Sequence, residues 1–457
     1  MAAAAGLSDR HKDELHKAVV EYLESFGGTF ADSAAAMRRE AGIGSANCKG
    51  EGPRANLLAR KWTVIARLQK QVTELEARLA EGGAGAGLAR PTRKDFLPMR
   101  APQHTLSGHR GAVLGLAFHP AHTLLATCGE DASVRVWDAE TGTLVRSLRG
   151  HTAAVSAVAF DGSGDTLVSA SHDASVRLWD ARPAGSFTCR RTLTGHEHTV
   201  SGVAVFASRA ASLDPSSAVQ CVASASRDGT IRLWDLASGA SKGVLHGHDG
   251  WVRRVAAPAL APGEAATPAA LEVADVIVSC GADKTVRVWD TTSLTEAACL
   301  RGHSNVIESV ALCGPQAAAA MRRSIASAAA ASAAATGTAS APGAPGAAGA
   351  GFAGLYAVSG DRDCNVIVWD LGSRSALAEL KGHTSWVRGV AFHPCGSLVL
   401  SVAEDHTLRV WDVARQSARH VVERCHEDFV TGLAAHPGMA LMATAGLEGT
   451  ARVWQCA

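Results

Sequence analysis

Residues 382–412 read GHTSWVRGVAFHPCGSLVLSVAEDHTLRVWD. Four side chains set the chemistry of this stretch: His383 after a glycine, Ser401, Asp405, and Trp411 ahead of Asp412. Between them, short runs alternate apolar and polar residues, the period of a half-buried strand, and break at turn-forming residues. The order recurs along the chain. Gly-His stands at Gly108-His109, Gly150-His151, Gly195-His196, Gly247-His248, Gly302-His303 and Gly382-His383, and Cys425-His426 is a degenerate seventh. Each is followed by a tryptophan at 137, 179, 234, 289, 369, 411 or 454. Seven of the 10 tryptophans are thereby placed, in a chain with only 2 tyrosines.

From His to Trp there are 28 residues in repeats one, two, six and seven, and 38, 41 and 66 in repeats three, four and five. With that excess removed, each repeat is about 41 residues long, the length of a four-stranded propeller blade of the WD-repeat kind. An acid stands six residues before every tryptophan: Asp131, Asp173, Asp228, Asp283, Asp363, Asp405 and Glu448. Four residues before each acid is Ser or Thr: Thr127, Ser169, Ser224, Ser279, Ser359, Ser401 and Thr444. The expectation is a chain of hydrogen bonds from indole to hydroxyl to imidazole to carboxylate, satisfying four buried polar groups in each blade. A hydrolase triad has the same residue types but occupies one site of unique geometry, so seven phased copies read as structure. The last repeat has three strands, and Gln103-His104-Thr105-Leu106 has no repeat of its own. This segment is expected to close the ring by supplying the missing strand, leaving no open sheet edge.

The inserts of repeats three, four and five fall between the first strand and the Ser/Thr. The largest, 314–354, is rich in Ala, Gly, Ser and Pro and is expected to be disordered. Its Gly349-x-Gly351-x-x-Gly354 matches a dinucleotide fingerprint but lacks the strand before and the helix after. Gly239-Ala-Ser241-Lys-Gly243 fits a nucleophile-elbow pattern but falls at a hairpin turn.

Before the propeller, residues 8–26 place Leu15, Val19, Tyr22, Leu23 and Phe26 on one helical stripe, with Ser8 as N-cap. So short an apolar stripe needs a partner to bury it, and 7–41 reads as a dimerisation motif. Residues 57–82 set Leu58, Ile65, Leu68, Val72, Leu75 and Leu79 at a/d spacing, with Lys61 the polar exception. This is a short coiled coil, or else a lone amphipathic helix packed on the propeller. Residues 83–102 are a linker, and 103–457 are the ring. The expected fold is an all-β seven-bladed WD-repeat β-propeller behind an N-terminal α-helical dimerisation motif and a short coiled coil.

In a four-stranded meander the inserts lie on the face opposite the acids and the Gly-His links. On the insertion-free face, the positions before the acids are Glu130, His172, Arg227, Ala282, Arg362, Glu404 and Leu447, and the strand starts in repeats four and six give Trp251-Val-Arg253 and Trp386-Val-Arg388. Two tryptophans and four arginines thus gather on one sector. These residue types dominate interface hot spots, so the sector is expected to bind a protein surface rich in acids. The alternative is that the tryptophans cap the channel and the arginines pair with local acids.

Composition limits the function classes. There are 44 Lys+Arg against 43 Asp+Glu, too balanced for nucleic-acid or anionic-membrane binding over the whole surface. No stretch approaches a membrane span, the start lacks a basic n-region and an apolar core, and the 11 cysteines are scattered without a CxxC pair. These features place the chain in a reducing compartment, the cytosol or nucleus. No phosphate loop or metal-ligand cluster is present, so no cofactor, no metal and no enzymatic activity are expected.

The segments LHKAVVEYLESFGGTF…MRREA, LLARKWTVIARLQKQVTELEARL, RKDFLPMRAPQHTLSGHR, GHTSWVRGVAFHP and AEDHTLRVWD, in this order, resemble the lissencephaly-1 family of nuclear distribution proteins, which join a Lis-homology motif to seven WD repeats. The likeness covers nearly the whole chain apart from the three inserts. It implies a non-enzymatic homodimer that regulates cytoplasmic dynein, gripping the motor domain through the Arg/Trp face, with a nuclear-distribution-E-type coiled-coil adaptor as second partner. Arg227, Arg253, Arg362 and Trp386 match that family's contacts, beside Trp251 and Arg388. His406 stands where the family tends to have Lys, which would weaken one basic contact or make it pH-sensitive. The Phe26-Gly27-Gly28-Thr29 loop also departs from the family pattern. The implied location is the cytoplasm, on microtubules, their organising centre and the spindle. A Lis-homology/WD-repeat corepressor or ubiquitin-ligase substrate receptor is the alternative from another class.

Overall fold

The structure, a computed structural model, describes residues 97–182, 187–208, 219–258, 275–336 and 354–456. The motif at 7–41, the coil at 57–82 and their stripe residues lie outside the described residues. The rest forms seven four-stranded antiparallel sheets. Blade one shows the pattern: Val113–Phe118, Leu124–Gly129, Ser133–Asp138 and Thr143–Arg149, paired in chain order. The innermost strands of successive blades pack on one another, and apolar residues from facing sheets form the core clusters, each with a buried tryptophan such as Trp369 or Trp454.

Ring closure follows the expectation. His104–Ser107 pairs antiparallel with the last strand, Thr450–Gln455, with Leu106 opposite Ala451. The pairing extends outward to a bridge between Pro98 and Cys456. The seventh sheet thus contains both ends of the ring, and no edge of that blade is left for another chain to pair with on the side that His104–Ser107 covers.

The polar chain is formed in every blade. In blade two the Trp179 indole N–H donates to Ser169 Oγ at 2.9 Å, Ser169 Oγ lies 2.8 Å from His151 Nε2, and His151 Nδ1 lies 2.8 Å from Asp173 Oδ2. A neutral imidazole protonated on Nδ1 satisfies every group in this chain. Burial opposes ionisation of Asp173, yet hydrogen bonds from Ser175, His151 and the Thr152 amide outweigh it and hold the carboxyl down at about 2.

Blade five corrects one expected position. There His303 Nδ1 bonds Asp361 at 2.7 Å, not Asp363. Asp361 takes a place that is Gly129, Gly281 or Gly446 in blades one, four and seven. A Cβ built on those glycines would lie 3.0–3.1 Å from the imidazole Nδ1 in the first two and 2.5 Å in the third, so the position faces the histidine directly. Asp363 turns outward and accepts from Ser304 and Asn305.

The largest insert also departs from expectation. Residues Pro315–Thr336 form a helix, α1, rather than a disordered segment. Alanine has the highest helix propensity, and this part of the insert is free of glycine, and of proline beyond its first position. Ala318 and Met321 are buried against Cys313, Tyr356 and Val399, and Ala317 sits over the turn at Gly396 of blade six. Residues 337–353 lie outside the described residues. All three inserts interrupt the link between first and second strands. Where that link is short, a side chain caps it: His119 accepts from the amides of Ala121 and His122, and His436 from those of Gly438 and Met439.

Candidate functional site: the mouth of the central channel

The first strand of every blade begins with a β-bulge, seen as a register shift between Val113 and Gly115, Val155 and Ala157, Val200 and Gly202, Val252 and Arg254, Ile307 and Ser309, Val387 and Gly389, and Val430 and Gly432. A bulge frees one residue from the ladder and re-aims its side chain. The seven freed residues are Leu114, Ser156, Ser201, Arg253, Glu308, Arg388 and Thr431, and all seven line one cavity of about 530 Å³ at the channel mouth. Position and repeat phase together therefore specify the site.

Hydroxyl bulges stitch neighbouring blades. Ser156 donates to the Val200 carbonyl at 2.6 Å, Ser201 to that of Val252, and Thr431 to that of Val113. Blades four, five and six carry charges there instead. Glu308, almost fully buried, is the hub: Arg362 reaches it at 2.7 Å, Arg388 at 3.5 Å and Arg253 at 3.7 Å. Arg388 also pairs with Glu404.

The two tryptophans at the strand starts stand out from this ion network, Trp251 at 45% exposure and Trp386 at 36%. Each carries two guanidinium groups on its ring. Arg227 and Arg253 lie 4.9 and 5.6 Å from the Trp251 ring centre, and Arg362 and Arg388 lie 4.2 and 5.1 Å from that of Trp386. Cation–π contact holds all four arginines in place, and ion pairs to Glu308 or Glu404 add to it for Arg253, Arg362 and Arg388. Burial and the charges of Arg362, Arg227 and Arg388 push the Arg253 pKa down against the pull of Glu308. Burial and Arg227 likewise lower His172.

Arg227, Trp251, Arg253, Arg362, Trp386 and Arg388 are therefore brought together. His406 is not part of that network: its Nδ1 bonds the Asp428 carbonyl at 2.9 Å and its ring packs at 5.6 Å on Phe429. Sequence reading missed Glu308, and the available signal was an acid at the bulge position that is Arg in the two flanking blades. It also missed the apolar sector across the mouth, where Phe429 and Leu447 are 41% and 40% exposed. Among the described residues, no group of three or more His, Cys, Asp or Glu is arranged to hold a metal ion, and no helix is long and apolar enough to cross a membrane.

The ring and its mouth define a WD-repeat propeller with a cationic–aromatic face. The chain matches the family "WD domain, G-beta repeat" over residues 100–138, 142–180, 187–235, 239–290, 374–412 and 419–455. The first three strands of the fifth blade, Ile307–Leu312, Tyr356–Asp361 and Asn365–Asp370, fall between these matches and are supplied by the structure. Residues 9–46 match the "PAC1 LisH domain". The chain is 34% identical to nuclear distribution protein PAC1 of Coccidioides posadasii, over 90% of this chain and 82% of that protein. It is 33% identical to nuclear distribution protein nudF of Emericella nidulans, over 88% and 84%. With PAC1 of Gibberella zeae it shares 35% identity over 92% and 86%. The chain belongs to this family of LisH and WD-repeat nuclear distribution proteins.

Proposed function

We propose that the protein is a non-enzymatic regulator of cytoplasmic dynein that acts in nuclear distribution and microtubule-based transport, including mitosis. The observation that carries this reading is the paired Arg/Trp cluster at the channel mouth, on the face free of inserts. An acidic surface on the motor domain docks there, taking the N–H edges of Arg227, Arg253, Arg362 and Arg388 while Trp251 and Trp386 lose their exposed area to the interface. Family membership supports the same pathway, since the relatives are named for nuclear distribution.

The N-terminal LisH segment and residues 57–82 pair two chains, so that one assembly presents two rings. A nuclear-distribution-E-type coiled-coil adaptor is the second partner, and the site of action is the cytoplasm, on microtubules, their organising centre and the spindle. The test is co-sedimentation of the full chain with a purified dynein motor domain, alongside pull-downs probed for dynein heavy chain, cullin and histone deacetylase. Recovery of dynein heavy chain supports the proposal. Recovery of cullin or deacetylase without dynein overturns it in favour of a scaffold role.

A further inference from the structure

The channel mouth holds more positive charge than its acids neutralise. Arg227, Arg253, Arg254 and Arg388 line it against Glu308 and Glu404. Both carboxylates are already taken at hydrogen-bond distance, Glu404 by Arg388 and Glu308 by Arg362. Three lining guanidinium groups remain without a carboxylate at hydrogen-bond distance. Arg227 has the Trp251 ring but no ion pair among the described residues. Among the described residues Arg254 reaches only the Leu114 carbonyl, at 3.4 Å on the far side of the ring. Arg253 is no closer than 3.7 Å to Glu308, and its buried Nε–H meets no acceptor among the described residues. Buried Nε groups of Arg135, Arg177, Arg232 and Arg452 also lack acceptors, but Arg253 is the one of these that lines this cavity.

We propose that the channel mouth is a binding site for a compact soluble polyphosphate, a small molecule carrying several phosphate groups close together. Guanidinium forks match phosphate oxygens in pairs, and two forks without an ion pair among the described residues, beside a third, Arg253, held only at 3.7 Å by the shared Glu308, call for several negative charges held within a few ångströms. A single acidic side chain would satisfy one of them. The volume of about 530 Å³ is that of a small-molecule site, and Leu114, Trp386, Phe429 and Leu447 give it apolar walls beside the arginines. Because the same arginines form the face assigned above to dynein, the polyphosphate and an acidic partner exclude one another. That consequence rests on the dynein reading; the binding site itself does not.

The test is isothermal titration calorimetry of the full chain, without any partner, using inorganic tripolyphosphate as probe. One saturable site is expected, in the micromolar range, weakened by added salt. Arg253→Gln and Arg227→Gln should each weaken it at least about tenfold, the loss of one charge-assisted contact, while Arg415→Gln, on the opposite face, leaves it unchanged. Should Arg253→Gln fail to fold by circular dichroism, Arg227→Gln decides. Absence of saturable binding at millimolar probe, or wild-type affinity in Arg227→Gln, overturns the proposal. A second arm uses vesicles containing a bisphosphorylated inositol lipid, which offers the same chemistry from a membrane. Tighter capture by vesicles than by tripolyphosphate overturns the soluble assignment. Since dynein is absent from both arms, failure here leaves the dynein reading to its own test.

Discussion

His303 Nδ1 lies 2.7 Å from Asp361, and both side chains are fully buried, whereas in blade two the matching pair joins His151 to Asp173 at the turn. Blade five has moved its carboxylate two residues back along the chain and into the core. Asp361→Ala should therefore destabilise the propeller by about 1–3 kcal/mol, leaving an imidazole N–H without an acceptor. Asp363→Ala, which removes only surface hydrogen bonds, should cost less than about 1 kcal/mol. Urea unfolding of the two variants distinguishes them. In blade two the order reverses, with Asp173→Ala the costly change.

The turn after each acid needs a left-handed residue in every blade. Ala132, Ala174, Lys284, Cys364 and His406 have φ between 57° and 65°, and Gly229 and Gly449 hold the same place in blades three and seven. A side chain in this region is strained, while glycine costs extra chain entropy on folding. Ala174→Gly is expected to stabilise by up to about 1 kcal/mol, and Ala174→Val to destabilise. Thermal midpoints of the two variants check the sign.

Acid should weaken the ring in two stages. Burial pushes His109, His151, His196 and His426 below the usual 6.5, so the unfolded chain binds protons that the folded one refuses. Stability falls as pH drops below that value. Asp131, Asp173, Asp228, Asp283 and Glu448 resist burial through their hydrogen bonds and are held at about 2. Their contribution is present above the ordinary carboxylate range and is lost as pH falls toward 2. Calorimetric Tm should decline from pH 7 to 5 and more steeply below pH 4; a Tm that rises between pH 7 and 5 contradicts the assignment of neutral, Nδ1-protonated histidines.

Among the described side chains of helix α1, Met321 is the deepest, with no exposed surface. Met321→Ala should cost about 2–4 kcal/mol through the cavity it leaves. The neighbouring exposed Arg323→Gln should change stability by less than about 0.5 kcal/mol. If Met321→Ala unfolds at the same urea concentration as wild type, the helix contributes nothing to the blade five and six core.

Much of the ring was legible because its polar chain repeats in phase. Trp179, Ser169, His151 and Asp173 can be found by counting, and so can the closing strand at His104–Ser107. What escaped were features that depend on neighbours in space. Asp361 displaces Asp363 because its backbone position faces the imidazole, which residue spacing alone does not reveal. Glu308 looks like an isolated acid until the ring sets blade five between Arg253 of blade four and Arg388 of blade six. Low complexity suggested disorder for the whole 314–354 insert, yet an alanine run with a buried Ala318 and Met321 can fold once a groove receives it. The arginines and tryptophans of the channel mouth were legible; His406 instead bonds the Asp428 carbonyl and packs on Phe429 of blade seven, neighbours that residue spacing does not reveal.

The most direct test of the proposed function is the affinity of the 457-residue chain for a purified dynein motor domain, compared with that of an Arg227→Glu/Arg362→Glu variant whose folding is verified by its thermal midpoint. Wild type should bind saturably, more weakly as salt screens the arginines, and the folded variant should lose at least about tenfold in affinity. A wild-type chain that does not bind, or a folded double variant that binds as tightly as wild type, contradicts it.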